Sequence, residues 1–239
     1  MIYFRPLPLL TAICALLLAF LIGLGVWQLE RLQWKLALID QVERNMRAAP
    51  LTLDEALAKG ADAQYRRVTL RGRFDNAYEL YIFGATDAGQ VFHVVTPFTT
   101  DDHRTLLIDR GIVPENRRDP ATRRAGLVEG ETTVTGVWRN EDQPGTFTPP
   151  PDTAKRLWFV RSASGMARTA NFHLAAPVII EADATPNSGG WPKGGQTVIA
   201  FRNEHLQYAL TWFLMAAGLL GVYLAYHVSR DRLGLKRQD

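Results

Sequence analysis

Two uncharged apolar stretches, Leu7 to Leu29 and Leu206 to Tyr226, bracket a charged middle and decide most of what this chain can fold into. Each is long enough to cross a bilayer core of about 30 Å, which takes roughly 20 helical residues. In hydrocarbon every backbone N–H and C=O needs an internal partner, so both stretches are expected to be helices. The mean hydropathy of −0.09 conceals them, because it averages two apolar ends with a polar centre. The expected class is an α+β membrane protein, with two transmembrane helices flanking a mostly antiparallel β extracytoplasmic domain, sheet or small barrel, with short helices. Its divisions are a cytoplasmic N-terminus (1–6), a first span (7–29), an extracytoplasmic β-rich domain (30–204), a second span (205–228) and a basic cytoplasmic tail (229–239).

Orientation follows from Arg230, Arg232, Lys236 and Arg237, since Lys and Arg concentrate on the cytoplasmic side of membrane segments. Two spans then put both termini in the cytoplasm. Arg31 and Lys35 pull the other way but are offset by Glu30 and Asp40. The first apolar run exceeds the roughly 7 to 15 residues of a secretory core and no small-x-small cleavage site follows it, so it reads as an uncleaved anchor. Without an Arg-rich, Ser-rich transit segment, the expected place is a cell inner membrane with the large domain in the periplasm, or the mitochondrial inner membrane if the chain is eukaryotic. Ala15, Ala19 and Gly23 recur at fours, as do Ala217, Gly221 and Ala225. These stripes are expected to let the two helices approach closely in lipid.

Between the spans the period changes. Trp27 to Arg47 keeps helical spacing and extends the first helix, with Trp27 and Trp34 on one face. Thr52-Leu53-Asp54-Glu55 is a capping box for a short helix that Gly60 stops. Strands are expected at 65–74, 79–83, 91–98, 105–113, 132–138, 157–160, 178–181 and 196–201, each rich in β-branched or aromatic residues and bounded by turn formers. One helix is expected at Ser162 to Ala170 with Ser162 as its cap. The proline-rich run from Arg139 to Lys155 is expected to be a loop.

Composition removes several functions. The net charge of +3 comes from interspersed Lys/Arg and Asp/Glu with no basic stripe carrying aromatics, so nucleic acid is set aside. The single cysteine, Cys14, lies in the first apolar run, which excludes an intramolecular disulfide, a Cys-x-x-Cys site and a thiol copper chaperone. There is no phosphate-binding glycine loop, His-Glu-x-x-His helix or Gly-x-Ser-x-Gly elbow, and a non-enzyme is expected. His93 is expected to be a satisfied structural histidine, His103 an exposed turn residue and His227 a hydrated one. His173 has no partner at ligand spacing. Asp109 with Arg110 and Arg202 with Glu204 are expected to be ion pairs.

That leaves Gly194-Gly195-Gln196-Thr197 and Arg202-Asn203-Glu204-His205-Leu206-Gln207-Tyr208, followed by Thr211-Trp212-Phe213. His205 is the last titratable group before the second apolar run. Phe201, His205, Tyr208, Trp212 and Met215 fall near one helical stripe. A hydrated histidine in an aromatic belt is the ordinary reading of such a position, and imidazole on an aromatic face is also a heme ligand.

The wording of this segment resembles the C-terminal signature of the Surfeit locus protein 1 family. The resemblance extends to Trp27-Gln28 with Arg31 and Trp34-Lys35, to Asp109-Arg110-Gly111-Ile112-Val113-Pro114, and to Trp158-Phe159. Ile112 stands where the family commonly has Trp. The resemblance implies an assembly factor for heme-copper cytochrome c oxidase, acting with the oxidase catalytic subunit and heme a synthase in the lipid bilayer. It implies heme a as a stable or transient cofactor, with His205 as iron ligand, Tyr208 and Trp212 beside it, and Arg202 or Glu204 near a propionate. The alternatives are an external membrane-anchored enzyme or ligand-binding domain. A two-span sensor is disfavoured, because only the tail 229–239 follows the second span.

Overall fold

The structure, a computed structural model, describes residues 2–87, 89–197 and 203–235. The chain divides into two compact units, residues 1–41 with 200–239, and residues 42–199.

The first unit is built on helices α1 (Pro8–Arg47) and α4 (His205–Ser229). Both are long and apolar enough to cross a membrane. They run antiparallel, with Thr11 Oγ1 2.7 Å from Tyr223 Oη near one end and Gln28 beside His205 near the other. The seam follows a spacing of threes, fours and sevens, through Thr11, Cys14, Leu18, Leu21, Gly25 and Gln28 on α1 and Ala209, Phe213, Ala216, Tyr223 and His227 on α4. That is the 3.5-residue period of helices that coil around each other. The expected small-residue stripes do not form the contact. A side chain added at Gly23, Gly218 or Gly221 would meet nothing within 4 Å, whereas Gly25 is buried against the Phe213 ring, and Ala209 and Ala216 are buried on α4. The small residues recur at fours, but seam position is set by the 3.5 period, which excludes Gly23 and Gly221.

Beyond the helices the chain ends form a two-stranded antiparallel ribbon, β1 (Ile2–Phe4) with β9 (Leu233–Leu235), continued by Arg5 N–H donating to the Arg232 carbonyl at 2.8 Å. Three-residue strands carry no usable periodicity and were not expected. Lys236 and Arg237 of the basic tail lie outside the described residues.

The second unit is a closed barrel. Its strands are β2 (Arg67–Phe74), β3 (Leu80–Thr86), β4 (Gly89–Thr100), β5 (Thr105–Pro114), β6 (Thr132–Asn140), β7 (Leu157–Trp158) and β8 (Leu174–Ala182). Pairing runs β2–β6–β8–β5–β4, and β4 returns to β2, which closes a ring of five; β3 and β7 extend it beyond β4. Closure happens at Gly72, which pairs with Thr132 on one side and Thr100 on the other. A Cβ there would collide with the Thr99 carbonyl oxygen, so glycine lets the strand turn the corner. The sheet is mostly antiparallel, as expected, with β5–β8 and β3–β7 parallel.

Alternation along the strands sorts the core. Leu106 and Ile108 of β5 join Val68, Leu70, Phe98, Val134, Trp138 and Ile180 inside the ring, where α2 (Leu53–Lys59) adds Leu53 and Ala56. Leu107 faces outward with Leu80, Ile82, Val95, Trp158 and Ile179 and is covered by Ala163 and Met166 of α3 (Ala163–Ala170). The capping box of α2 forms as read, with Glu55 N–H donating to Thr52 Oγ1 and Thr52 N–H donating back to Glu55. At α3 Ser162 occupies the N-cap position, as expected. The Ser162 side chain makes no capping bond; Glu141 instead accepts from the N–H and the hydroxyl of Ser164. Two loop boundaries also move, because Arg139 and Asn140 complete β6 and Leu174 to Pro177 belong to β8. Gln196 and Thr197 are not in a strand, and the rest of the expected final strand, with Phe201 and Arg202, lies outside the described residues.

Candidate functional site

His205 is the first residue of α4, and its Nδ1 donates to Gln28 Oε1 on α1 at 2.7 Å. The bond joins two of the sequence blocks singled out above. An amide oxygen is only an acceptor, so the contact fixes the proton on Nδ1 and leaves the Nε2 lone pair free. Metal-binding histidines are held in this way, with one ring nitrogen fastened to an acceptor and the other turned to the metal. Tyr208, Trp212 and Met215 follow along the same side of α4, and Tyr208 and Met215 are about half-exposed, 51% and 50%. The structure brings His205 together with Gln28 and not with these rings.

The ring contacts of α4 among the described residues lie at its other end. His227 is fully buried, 4.2 Å from the Tyr223 ring, 5.5 Å from Phe4 and 5.9 Å from Tyr226. Its Nδ1 donates to the Tyr223 carbonyl and its Nε2 has no hydrogen-bond partner. The hydrated histidine expected there is therefore corrected. Phe4, brought in by the β1–β9 ribbon, supplies the cover that the sequence did not reveal. Exposed Trp34 carries the Arg31 guanidinium 4.6 Å from its ring.

The barrel unit holds the central block. Asp109 and Arg110 do not pair with each other, because neighbours on a strand point to opposite faces. Asp109 accepts from His93 Nδ1 at 2.7 Å and from Gly111 N–H at 2.9 Å. His93 is thus the satisfied histidine expected. Burial acts to lower its pKa, but the Asp109 charge and hydrogen bond outweigh burial and the net shift is upward. His93 and Asp109 line a cavity of about 160 Å³ with Phe83, Phe159 and Arg161. Arg161 donates to Glu181 at 2.6 Å and Asp142 at 2.7 Å, and Glu181 also receives Arg139 and the Thr197 hydroxyl. Thr197 of the Gly-Gly-Gln-Thr turn is thereby fastened to β8. Gly111, at φ +110°, lies so close to the Lys193 carbonyl that any Cβ would collide with it. Half-buried Ile112 exchanges two backbone bonds with Lys193 at 3.0 Å. Among the described residues no group of three His, Cys, Asp or Glu side chains is placed to hold a metal ion.

Over residues 15–217 the chain matches the SURF1 family. It belongs to that family. Surfeit locus protein 1 of Takifugu rubripes is 35% identical over 228 residues, covering 88% of this chain and 94% of the relative. The Mus musculus protein is 36% identical over 224 residues (87% and 72%), and the Homo sapiens protein 36% over 212 (82% and 70%). SURF1 membership supports an assembly-factor role in general. The SURF1 match contains Gln28, Gly111 and His205 and ends ahead of His227, which separates the two histidines of α4.

Proposed function

We propose that this SURF1 protein is a membrane assembly factor for heme-copper cytochrome c oxidase, taking up and handing over heme a at His205 while the heme-bearing subunit matures. The observation that supports this is the Gln28–His205 bond at the end of an apolar helix pair, within the family-matched region. Heme a supplies an iron that accepts an imidazole nitrogen. His205 offers Nε2, and Gln28 holds the ring and increases its basicity by accepting the Nδ1 proton. Tyr208, Trp212 and Met215 offer an adjacent apolar face for a flat macrocycle. Arg202 or Glu204 serves a propionate or supports the ligand from behind. The proposed partners are the oxidase catalytic subunit and heme a synthase. The chain lies in an inner membrane with both termini cytoplasmic and the barrel unit outside, and its part in maturation is non-catalytic.

The test is pyridine hemochrome per protein, measured on wild type and His205→Ala purified from a strain making heme a. Loss of heme from a variant that still inserts is expected. Wild-type stoichiometry in that variant would refute ligation by His205.

A further inference from the structure

Arg110 stands out among the buried groups of the barrel unit. It is 1% exposed, alternates with Leu106 and Ile108 on the inner face of β5, and lies 4.4 Å from the Phe74 ring centroid. Its guanidinium donates to the Asn76 side-chain oxygen at 3.2 Å and to the Gly126 carbonyl, both neutral, and its Nε has no partner. No carboxylate pairs with it among the described residues. The other buried arginines are treated differently: Arg123 is held by Glu79 through two bonds, and Arg139 by Glu181. Burial pulls the Arg110 pKa down to about 10, which leaves the group charged at neutral pH. The Glu79 charge supports the cation and the Arg123 charge opposes it, but with no carboxylate bonded to it the burial stays costly, and a bound anion would offset that cost.

Arg110 also lines a cavity of about 320 Å³ whose wall includes Thr132, Thr185 and Ser188. Hydroxyls around a guanidinium form a donor set for oxygen anions. Asp183 lies on the same wall, with its carboxylate accepting from Thr185 N–H at 3.0 Å. Its charge opposes any anion, so binding rests on Arg110 and the hydroxyls outweighing it. We propose that this cavity is a binding site for a small oxyanion, a phosphate or carboxylate group, held by Arg110 and the surrounding hydroxyls. The site is separate from His205 and does not depend on heme.

The test is isothermal titration calorimetry on the full chain in detergent, purified in chloride from cells that make no heme a, with inorganic phosphate in one arm and acetate in another at matched ionic strength. Saturable binding in either arm is expected and identifies which group the site takes. Arg110→Met should weaken it roughly tenfold or more, since charge-assisted hydrogen bonds are about twice as strong as neutral ones; Arg110→Lys should retain part. If Arg110→Met does not fold, the double variant Thr185→Val with Ser188→Ala decides, and weaker binding is expected. No saturable heat in either arm, or wild-type affinity in the folded variants, overturns the proposal.

Discussion

Phe213 of α4 lies against Gly25 of α1 so closely that a Cβ on the glycine would meet the ring at 2.5 Å. The helix pair is therefore built around a ring packed on bare backbone. Gly25→Leu should lower the thermal unfolding midpoint of the detergent-solubilised chain, with a cost of about 1–3 kcal/mol for overpacking. Gly221→Leu, facing open space, should leave the midpoint unchanged. Equal losses would show that the seam lies elsewhere.

Gln28 is expected to govern heme retention through the His205 ring. Gln28→Leu removes the acceptor and should weaken retention roughly 10- to 100-fold, the usual effect of losing a partner behind a metal ligand. Gln28→Glu should retain heme. The readout is hemochrome per protein after a chromatographic wash, and equal retention in all three proteins would separate Gln28 from the ligand.

The pair Glu79–Arg123 is buried on both sides, with side chains 3% and 1% exposed, and Tyr81 Oη also donates to Glu79 at 3.1 Å. Arg123→Met leaves a buried carboxylate without its cation and should cost about 3–5 kcal/mol in urea unfolding. Adding Glu79→Gln should recover much of that loss. Additive losses would contradict the pairing.

His93 gives the barrel unit a pH dependence of known sign. Its folded pKa is raised above the ordinary value of 6.5, so the protonated ring binds Asp109 more strongly in the folded state. Arg161 opposes the charge and Glu181 supports it. This contribution is fully present below the unfolded pKa and is lost as pH rises through the folded one. Wild type should lose stability on going from about pH 6 upward across that window, while His93→Gln should show a flatter profile. The check is urea unfolding at successive pH values.

Single cysteines at Asp142 and Gln238 in a Cys14→Ala background test the orientation. An impermeant thiol reagent on spheroplasts should label the first and spare the second. The reverse labelling would invert the arrangement.

Much of the barrel was legible because strands such as Arg67–Phe74, where polar and apolar residues alternate, and Thr105–Pro114, rich in β-branched residues, lie between clear turn residues. Leu174 to Pro177 escaped, since an Ala-Ala-Pro start has no strand signature and joins β8 only through neighbours distant in sequence. The parallel β5–β8 pairing is a property of the closed ring and has no local trace. His205 and Gln28 were each visible as words in a family signature, yet nothing in the spacing of residues 28 and 205 announced a bond between them. Asp109 and Arg110 were misjudged as a pair because adjacency in sequence was taken for adjacency in space, and in a strand it means the reverse.

β8 sits between β5 and β6, although both are made before it. During synthesis the ring therefore remains open until Leu174 to Ala182 have emerged, and two strands keep exposed backbone donors and acceptors while they wait. Such edges invite pairing with another chain. A polypeptide stopped ahead of Leu174 is thus expected to aggregate, however complete its earlier strands, whereas one released just after Ala182 already has the last stave of its barrel.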